Sequence, residues 1–230
     1  MNLLDLFFPK KCVGCKKIGS YLCDKCFSYL SFDTKNLCLV CGRPSFDGLT
    51  HPGCMSRYSI DGSFSSIPYN KTAQRLIYSF KYMPYVADLK ITLSDLFYEG
   101  LIQNENFIKE LQKGKWLIVS VPLFKAKLRK RGYNQSEILA NQLGKKLNLP
   151  VQNILERVKN TKAQFGLNKV QRKENIKNAF NLKSEILNLK SFNVFLVDDL
   201  TTTGSTLNEA ANILKRAGVK RVIGLTLARD

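Results

Sequence analysis

From about Gly62 to the end of the chain, apolar residues alternate between strand-like and helix-like spacing. Phe64–Tyr69 reads as a strand, and Lys71–Tyr82 as a helix with Leu76, Ile77 and Phe80 on one face. Val86–Tyr98 predicts a second amphipathic helix that closes near Gly100, and residues 101–115 a polar helical stretch. Trp116–Pro122 is a continuous apolar run, the pattern of a strand buried on both faces. A basic loop, Lys125–Arg131, follows it. A helix then starts at Asn134, where Glu137 completes a capping-box-like opening. Val194–Asp198 is another buried strand. Thr206 and Glu209 fit a second capping box, ahead of an apolar stripe of Leu207, Ala210, Ala211 and Leu214. Lys215 and Arg216 suit the last turn of that helix, Gly218 ends it, and Arg221–Ala228 is a final strand. Strands alternating with helices predict an α/β domain with a parallel sheet and right-handed crossovers.

Residues 1–60 break this rhythm and read as a separate module, with 61–230 as the main domain. All seven cysteines and the single histidine fall between Cys12 and Cys54. They are spaced Cys12-x2-Cys15, Cys23-x2-Cys26, Cys38-x2-Cys41 and His51-x2-Cys54. Each pair places two ligands on one tight turn, so the set suits two closed tetrahedral zinc sites. Buried or redox thiols are the competing reading, which four pairs of identical spacing disfavour. Sequential use joins Cys12, Cys15, Cys23 and Cys26 at one ion and Cys38, Cys41, His51 and Cys54 at the other. A cross-braced exchange of the middle pairs is the alternative. Closed sites leave no open coordination position, so the expected zinc is structural, and a module this small needs it to fold.

Charge narrows the partners. The chain carries 36 Lys and Arg against 18 Asp and Glu, a formal net charge of +18. Zinc–thiolate formation lowers this to about +15. Such a field favours phosphates, nucleic acid or acidic proteins, although a merely basic surface explains it equally well. No apolar run approaches the roughly 18 residues of a membrane span. The first residues lack the basic region and long apolar stretch of a signal peptide, so no membrane insertion and a cytoplasmic location are expected.

The chemistry concentrates in VFLVDDLTTTGSTL, residues 194–207. A buried strand ends in two carboxylates and passes into a Thr/Gly/Ser loop that opens a helix. Backbone N–H groups at a helix start, ringed by hydroxyls, make a phosphate site, and Gly204 allows close approach. Carboxylates at the carboxyl end of a parallel strand can accept hydrogen bonds from ribose hydroxyls. No Walker A pattern occurs, and with the only histidine assigned to zinc a Ser-His-Asp hydrolase is excluded.

DDLTTTGST resembles the motif by which type I phosphoribosyltransferases bind 5-phosphoribosyl 1-diphosphate (PRPP). The resemblance implies that Asp198 and Asp199 contact the ribose as the catalytic carboxylates. It implies too that Thr201, Thr202, Thr203, Gly204, Ser205 and Thr206 hold the 5′-phosphate. Pyrophosphate, the leaving group, then needs a second anion site. The candidates are Pro122, Lys125, Arg129, Arg131 and Asn134, with Arg131 foremost and Lys127 and Lys130 read as solvated charge. The cysteine pairs together with VPL, RGYNQSEILA, QRKENIKNAF and VDDLTTTGST resemble the ComF competence family, specifically its ComFC-type members. That resemblance implies a double zinc ribbon ahead of a parallel-sheet type I phosphoribosyltransferase domain, with Mg²⁺ accompanying PRPP. His51 stands where relatives commonly place cysteine, and residues 101–115 look like an insertion. A flexible loop near Thr161–Arg172 is implied as well, with Gln164 and Arg172 as candidates for the site. A role in natural transformation follows from the same resemblance, with single-stranded DNA and a competence helicase as partners. Two non-catalytic readings stand beside the transferase: a single-stranded DNA-binding protein, and an adaptor whose zinc module docks the helicase. The acceptor is not legible.

Overall fold

The computed structural model describes residues 9–82, 89–161, 168–183 and 189–230. Four strands, β1 (Gly62–Pro68), β2 (Trp116–Ser120), β5 (Asn193–Thr201) and β6 (Val222–Arg229), form one parallel sheet in the order β1-β6-β5-β2. Strands β3 (Leu155–Arg157) and β4 (Phe180–Leu182) form a separate antiparallel pair. The helices in chain order are α1 (Asp24–Phe27), α2 (Lys71–Tyr82), α3 (Leu89–Ile102), α4 (Glu105–Leu111), α5 (Lys125–Arg131), α6 (Gln135–Leu147), α7 (Lys169–Ile176) and α8 (Ser205–Arg216). Among the described residues, no helix is long and apolar enough to cross a membrane.

The apolar runs of β2 and β5 feed two cores because successive side chains leave a strand on opposite faces. Trp116 and Ile118, with Phe195 and Val197, join one cluster with α2, α3 and α6. Leu117 and Val119, with Val194 and Leu196, join the other with α8 and the β3–β4 pair. Trp116 stacks flat on Phe195, ring centroids 3.8 Å apart.

The zinc module packs on both clusters. Val13 belongs to the first, against which Tyr21, Leu22 and Leu30 pack, and Leu39 belongs to the second.

Several local expectations are corrected. Helix α3 runs past Gly100, because that glycine is where the helix touches β1. A Cβ there would lie 2.5 Å from the Ser66 Cβ and 2.6 Å from its carbonyl oxygen. The basic stretch Lys125–Arg131 is a helix, closed by Gly132 at φ 82°. Neither capping box forms. Asn134 is the N-cap of α6, but its amide donates to the Val121 carbonyl, and Glu137 accepts from Asn153 instead. Gly204 caps α8, Thr206 lies within the helix, and Glu209 accepts from the Asn178 amide. A true capping box, Asn168 with Gln171, opens α7, so the end of the stretch read as a flexible loop is a helix. In the segment read as polar, Phe107 is buried between Phe64 and Phe195, and Glu110 is buried with Arg221 and Lys113 as ion-pair partners.

Candidate PRPP site and metal centres

The two metal centres use ligands in chain order. Cys12, Cys15, Cys23 and Cys26 form one group, and Cys38, Cys41, His51 and Cys54 the other, with all ligand atoms of a group within 4.8 Å of one another. An ion with bonds of about 2.0–2.3 Å reaches all four members of each. The two knuckles are built alike. The amide of Lys16 bonds back to the Cys12 carbonyl and that of Gly42 to the Cys38 carbonyl, and Lys16 and Gly42 both adopt positive φ. His51 turns Nδ1 towards Cys41 Sγ at 3.4 Å, while Nε2 lies 2.9 Å from the Pro44 carbonyl. That second bond fixes the tautomer with Nδ1 free to ligate. The thiols of each group are shifted unequally by their surroundings. Burial opposes ionisation of Cys12, yet neighbouring backbone N–H groups bring it down to about 6. Burial and the adjoining sulfurs push Cys26 up to about 12. In the second group Cys38 is brought down to about 7, against burial, by backbone N–H groups, while burial and the neighbouring thiols push Cys54 up to about 11. Burial and mutual repulsion oppose ionising all the thiols of a group together, and a bound zinc ion would supply the missing charge.

The second candidate site is a cavity of about 1050 Å³ beyond the carboxyl ends of the strands. Strand β2 stops opposite Val197, so the last residues of β5 are uncovered on that side. Asp198 and Asp199 both line the opening. Asp198 Oδ1 accepts from Ser136 Oγ at 2.7 Å and from the Asp199 amide at 2.9 Å. Burial, reinforced by the adjacent Asp199 charge, pushes the Asp198 carboxyl up to about 6. Asp199 is buried and pairs with Lys81 Nζ at 2.8 Å. Burial works against the Lys81 charge, but Asp199 holds the ammonium above the ordinary lysine range.

A cationic wall of Lys127, Lys130, Arg131, Arg157 and Arg172 lines the same cavity, with Arg157 within electrostatic reach of Asp198. Lys127, Lys130 and Arg131 share one face of α5 because they are three and four residues apart. Lys125 and Arg129 share another face and are exposed outside the lining. Lys127 is half-buried and donates to the Thr161 carbonyl at 2.9 Å, so it is not the solvated charge the sequence implied. Burial, with Arg157 and Arg131 nearby, lowers its affinity for a proton. Arg157 donates to Thr161 Oγ1 at 2.5 Å, and Arg131 to Gln135 Oε1 at 2.6 Å. Arg172 bonds Thr202 Oγ1, joining α7 to the Thr/Gly loop.

Pro122, Thr202 and Thr206 line the cavity as well. Thr203 and Ser205 bond each other through their hydroxyls at 2.9 Å, and Gly204 has φ 72°. Thr201 is buried at the end of β5, its carbonyl accepting from the Asp230 amide. Asn134 is buried behind the lining, and Gln164 lies outside the described residues. Sequence reasoning missed Lys81, Ser136 and Arg157. Lys81 reads as an ordinary basic residue in a last helical turn, and Arg157 lies on a strand too short to register. Only the sheet order brings them to the carboxylates.

The chain is similar to known proteins in both of its parts. The family described as double zinc ribbon domain matches residues 3–55, and that described as phosphoribosyl transferase domain matches residues 130–230. The chain is 43% identical over 113 residues to competence protein F of Haemophilus influenzae, covering 49% of each chain. It is 39% identical over 106 residues to DNA utilization protein YhgH of Escherichia coli K12, covering 46% of this chain and 45% of that one. These matches span about half the length of those relatives. Competence protein ComFC of Bacillus subtilis aligns over 220 residues at 27% identity, covering 91% of this chain and 84% of its own. A hypoxanthine phosphoribosyltransferase from Staphylococcus aureus aligns over 61% of this chain and 65% of its own, at 14% identity and a TM-score of 0.38.

Proposed function

We propose that this chain, which is similar to the competence proteins F and ComFC and matches a double zinc ribbon ahead of a phosphoribosyl transferase domain, binds PRPP with Mg²⁺ and transfers the phosphoribosyl group during DNA uptake. In this reading residues 1–60 form the zinc unit and 61–230 the PRPP-binding unit of a cytoplasmic protein. The observation that carries it is that one cavity is lined both by Asp198 and Asp199 and by Lys127, Arg131, Arg157 and Arg172. PRPP has the matching groups, hydroxyls on the ribose and negative charge at both ends.

Asp198 and Asp199 accept from the ribose hydroxyls, which requires Lys81 to yield part of its hold on Asp199. The loop from Thr202 to Thr206 receives the 5′-phosphate, where the first N–H groups of α8 lack intrahelical partners. The cationic wall holds the diphosphate. Mg²⁺, when bound with the substrate, neutralises charge on the diphosphate and ribose oxygens. The bond from C1 to the diphosphate oxygen breaks with its electron pair leaving on pyrophosphate, and the acceptor's lone pair forms the new bond to C1. The wall stabilises the charge gathering on the leaving group. Placement and electrostatics carry the reaction, as suits a site whose described lining holds no cysteine or histidine.

A second reading rests on Tyr78 and Tyr82, exposed rings 4.8 Å apart at the cavity mouth, with the Arg131 guanidinium over Tyr82. Such a surface stacks bases, and it supports a non-catalytic protein bound to single-stranded DNA or to a competence helicase.

One experiment separates the readings. PRPP binding and pyrophosphate release are measured with Mg²⁺ on the zinc-loaded protein and on Asp198→Asn/Asp199→Asn. Saturable binding that the double variant loses, with pyrophosphate released, is the expected result. No binding by the folded native protein ends the transferase reading. Salt-sensitive affinity for single-stranded DNA that the double variant retains would then favour the second.

A further inference from the structure

The second metal centre touches the phosphate loop. Leu39, between the ligands Cys38 and Cys41, is 3% exposed and belongs to the core cluster that also holds Leu207, Ala210 and Ala211 of α8. It lies directly against Gly204, the cap of α8. A Cβ on Gly204 would meet Leu39 Cδ2 at 2.7 Å, Cβ at 3.0 Å and Cγ at 3.2 Å. A polar clamp lies beside this contact. Asn208 Nδ2 donates to the Leu39 carbonyl at 3.0 Å and to the Gly204 carbonyl at 3.2 Å, tying knuckle and loop through one side chain.

We propose that the Cys38–Cys41 knuckle, held in shape by zinc, sets the conformation of the phosphate-binding loop through Leu39, making Leu39 a positioning residue of the PRPP site. Gly204 occupies a left-handed conformation that a free chain leaves readily, and no intrahelical bond of its own amide holds it. Its outer side is closed by Leu39 and its carbonyl is held by Asn208. Backbone bonds from the Gly42 amide to the Cys38 carbonyl and from the Cys38 amide to the Arg43 carbonyl shape this turn, and an ion shared by Cys38 and Cys41 would lock it. Among the described residues the first centre shows no such link to Gly204, and its Val13 packs in the cluster on the other face of the sheet. Of the two ions, therefore, the second governs the loop.

This inference rests on the proposed function only in its ligand, and the test has an arm free of PRPP. Amide hydrogen exchange across residues 201–208, zinc content and PRPP affinity are measured for the native protein, Leu39→Ala, Leu39→Met, Cys41→Ser and Leu214→Ala. Leu214 is buried on the same helix, remote from the loop, and serves as the control for general destabilisation. In Leu39→Ala, loop exchange is expected to rise about tenfold and PRPP affinity to fall about as much, with two zinc ions retained. Leu39→Met restores both, Cys41→Ser loses one ion and loosens the loop at least as far, and Leu214→Ala leaves loop exchange near native. Native exchange in Leu39→Ala, or equal loosening in Leu214→Ala, overturns the proposal. A native protein that does not bind PRPP sinks the transferase reading alone, because the exchange measurements still decide this one.

Discussion

Asp198 illustrates how a site residue is held at a cost to the fold. Its carboxyl sits in a half-buried corner beside Asp199, with Ser136 and the Asp199 amide as donors, and is pushed up to about 6 from an ordinary value of 3.8. A raised carboxyl pKa means that the folded chain keeps a proton the unfolded chain releases. The fold therefore loses stability as the pH rises from about 4 through 6, and above that window the full penalty is present. Asp198→Asn removes the charge and keeps an oxygen for Ser136. It is expected to gain about 1–2 kcal/mol at pH 7.5, after allowance for solvent screening, and on the transferase reading to lose PRPP binding. Denaturant titrations at pH 7.5 and 5 check the sign. The gain should shrink to about half at pH 5, and a gain that grows on acidification would contradict this account of the carboxyl.

At the scale of elements, two glycines set how closely a helix can approach its neighbour. Gly204 admits the zinc knuckle to the start of α8, and Gly100 admits α3 to β1. Ser66 completes the second contact by donating to the Phe97 carbonyl at 2.6 Å. Gly100→Ala places a methyl against backbone, so helix and strand must part. A loss of about 2–3 kcal/mol is expected by chemical denaturation. Retained stability would show that α3 slides along β1 at little cost. Helix α5 makes the complementary point about charge. Its lysines and arginines form a single run in sequence, and the helical turn divides them into a cavity face and a solvent face.

For the whole molecule, the zinc module and the sheet share their cores, Val13 on one side and Leu39 on the other. Removing zinc is therefore expected to destabilise the entire chain in one transition, lowering the Tm by roughly 10 °C or more. Calorimetry with and without a chelator tests this. An unchanged main transition beside a separate early one would mean that the module unfolds alone.

The sequence alone determined whatever depends on residues near one another along the chain. The eight ligands declared themselves by spacing, β2 and β5 by unbroken apolar runs, α2 by its periodicity, and DDLTTTGST by a strand, loop and helix that are contiguous. Local signals misled where a tertiary partner competed for the same group. Asn134 was turned by the bond from its side-chain amide to the Val121 carbonyl, Glu209 gave its carboxylate to the Asn178 amide, and Gly100 served as a contact surface instead of a stop. The tertiary structure decided which ligands share an ion and which face of α5 meets the cavity. It also decided that Lys81, Ser136 and Arg157 stand beside the carboxylates. Those residues lie 41 to 117 positions from Asp198 along the chain, and only the order β1-β6-β5-β2, fixed by burying two apolar faces at once, brings them together.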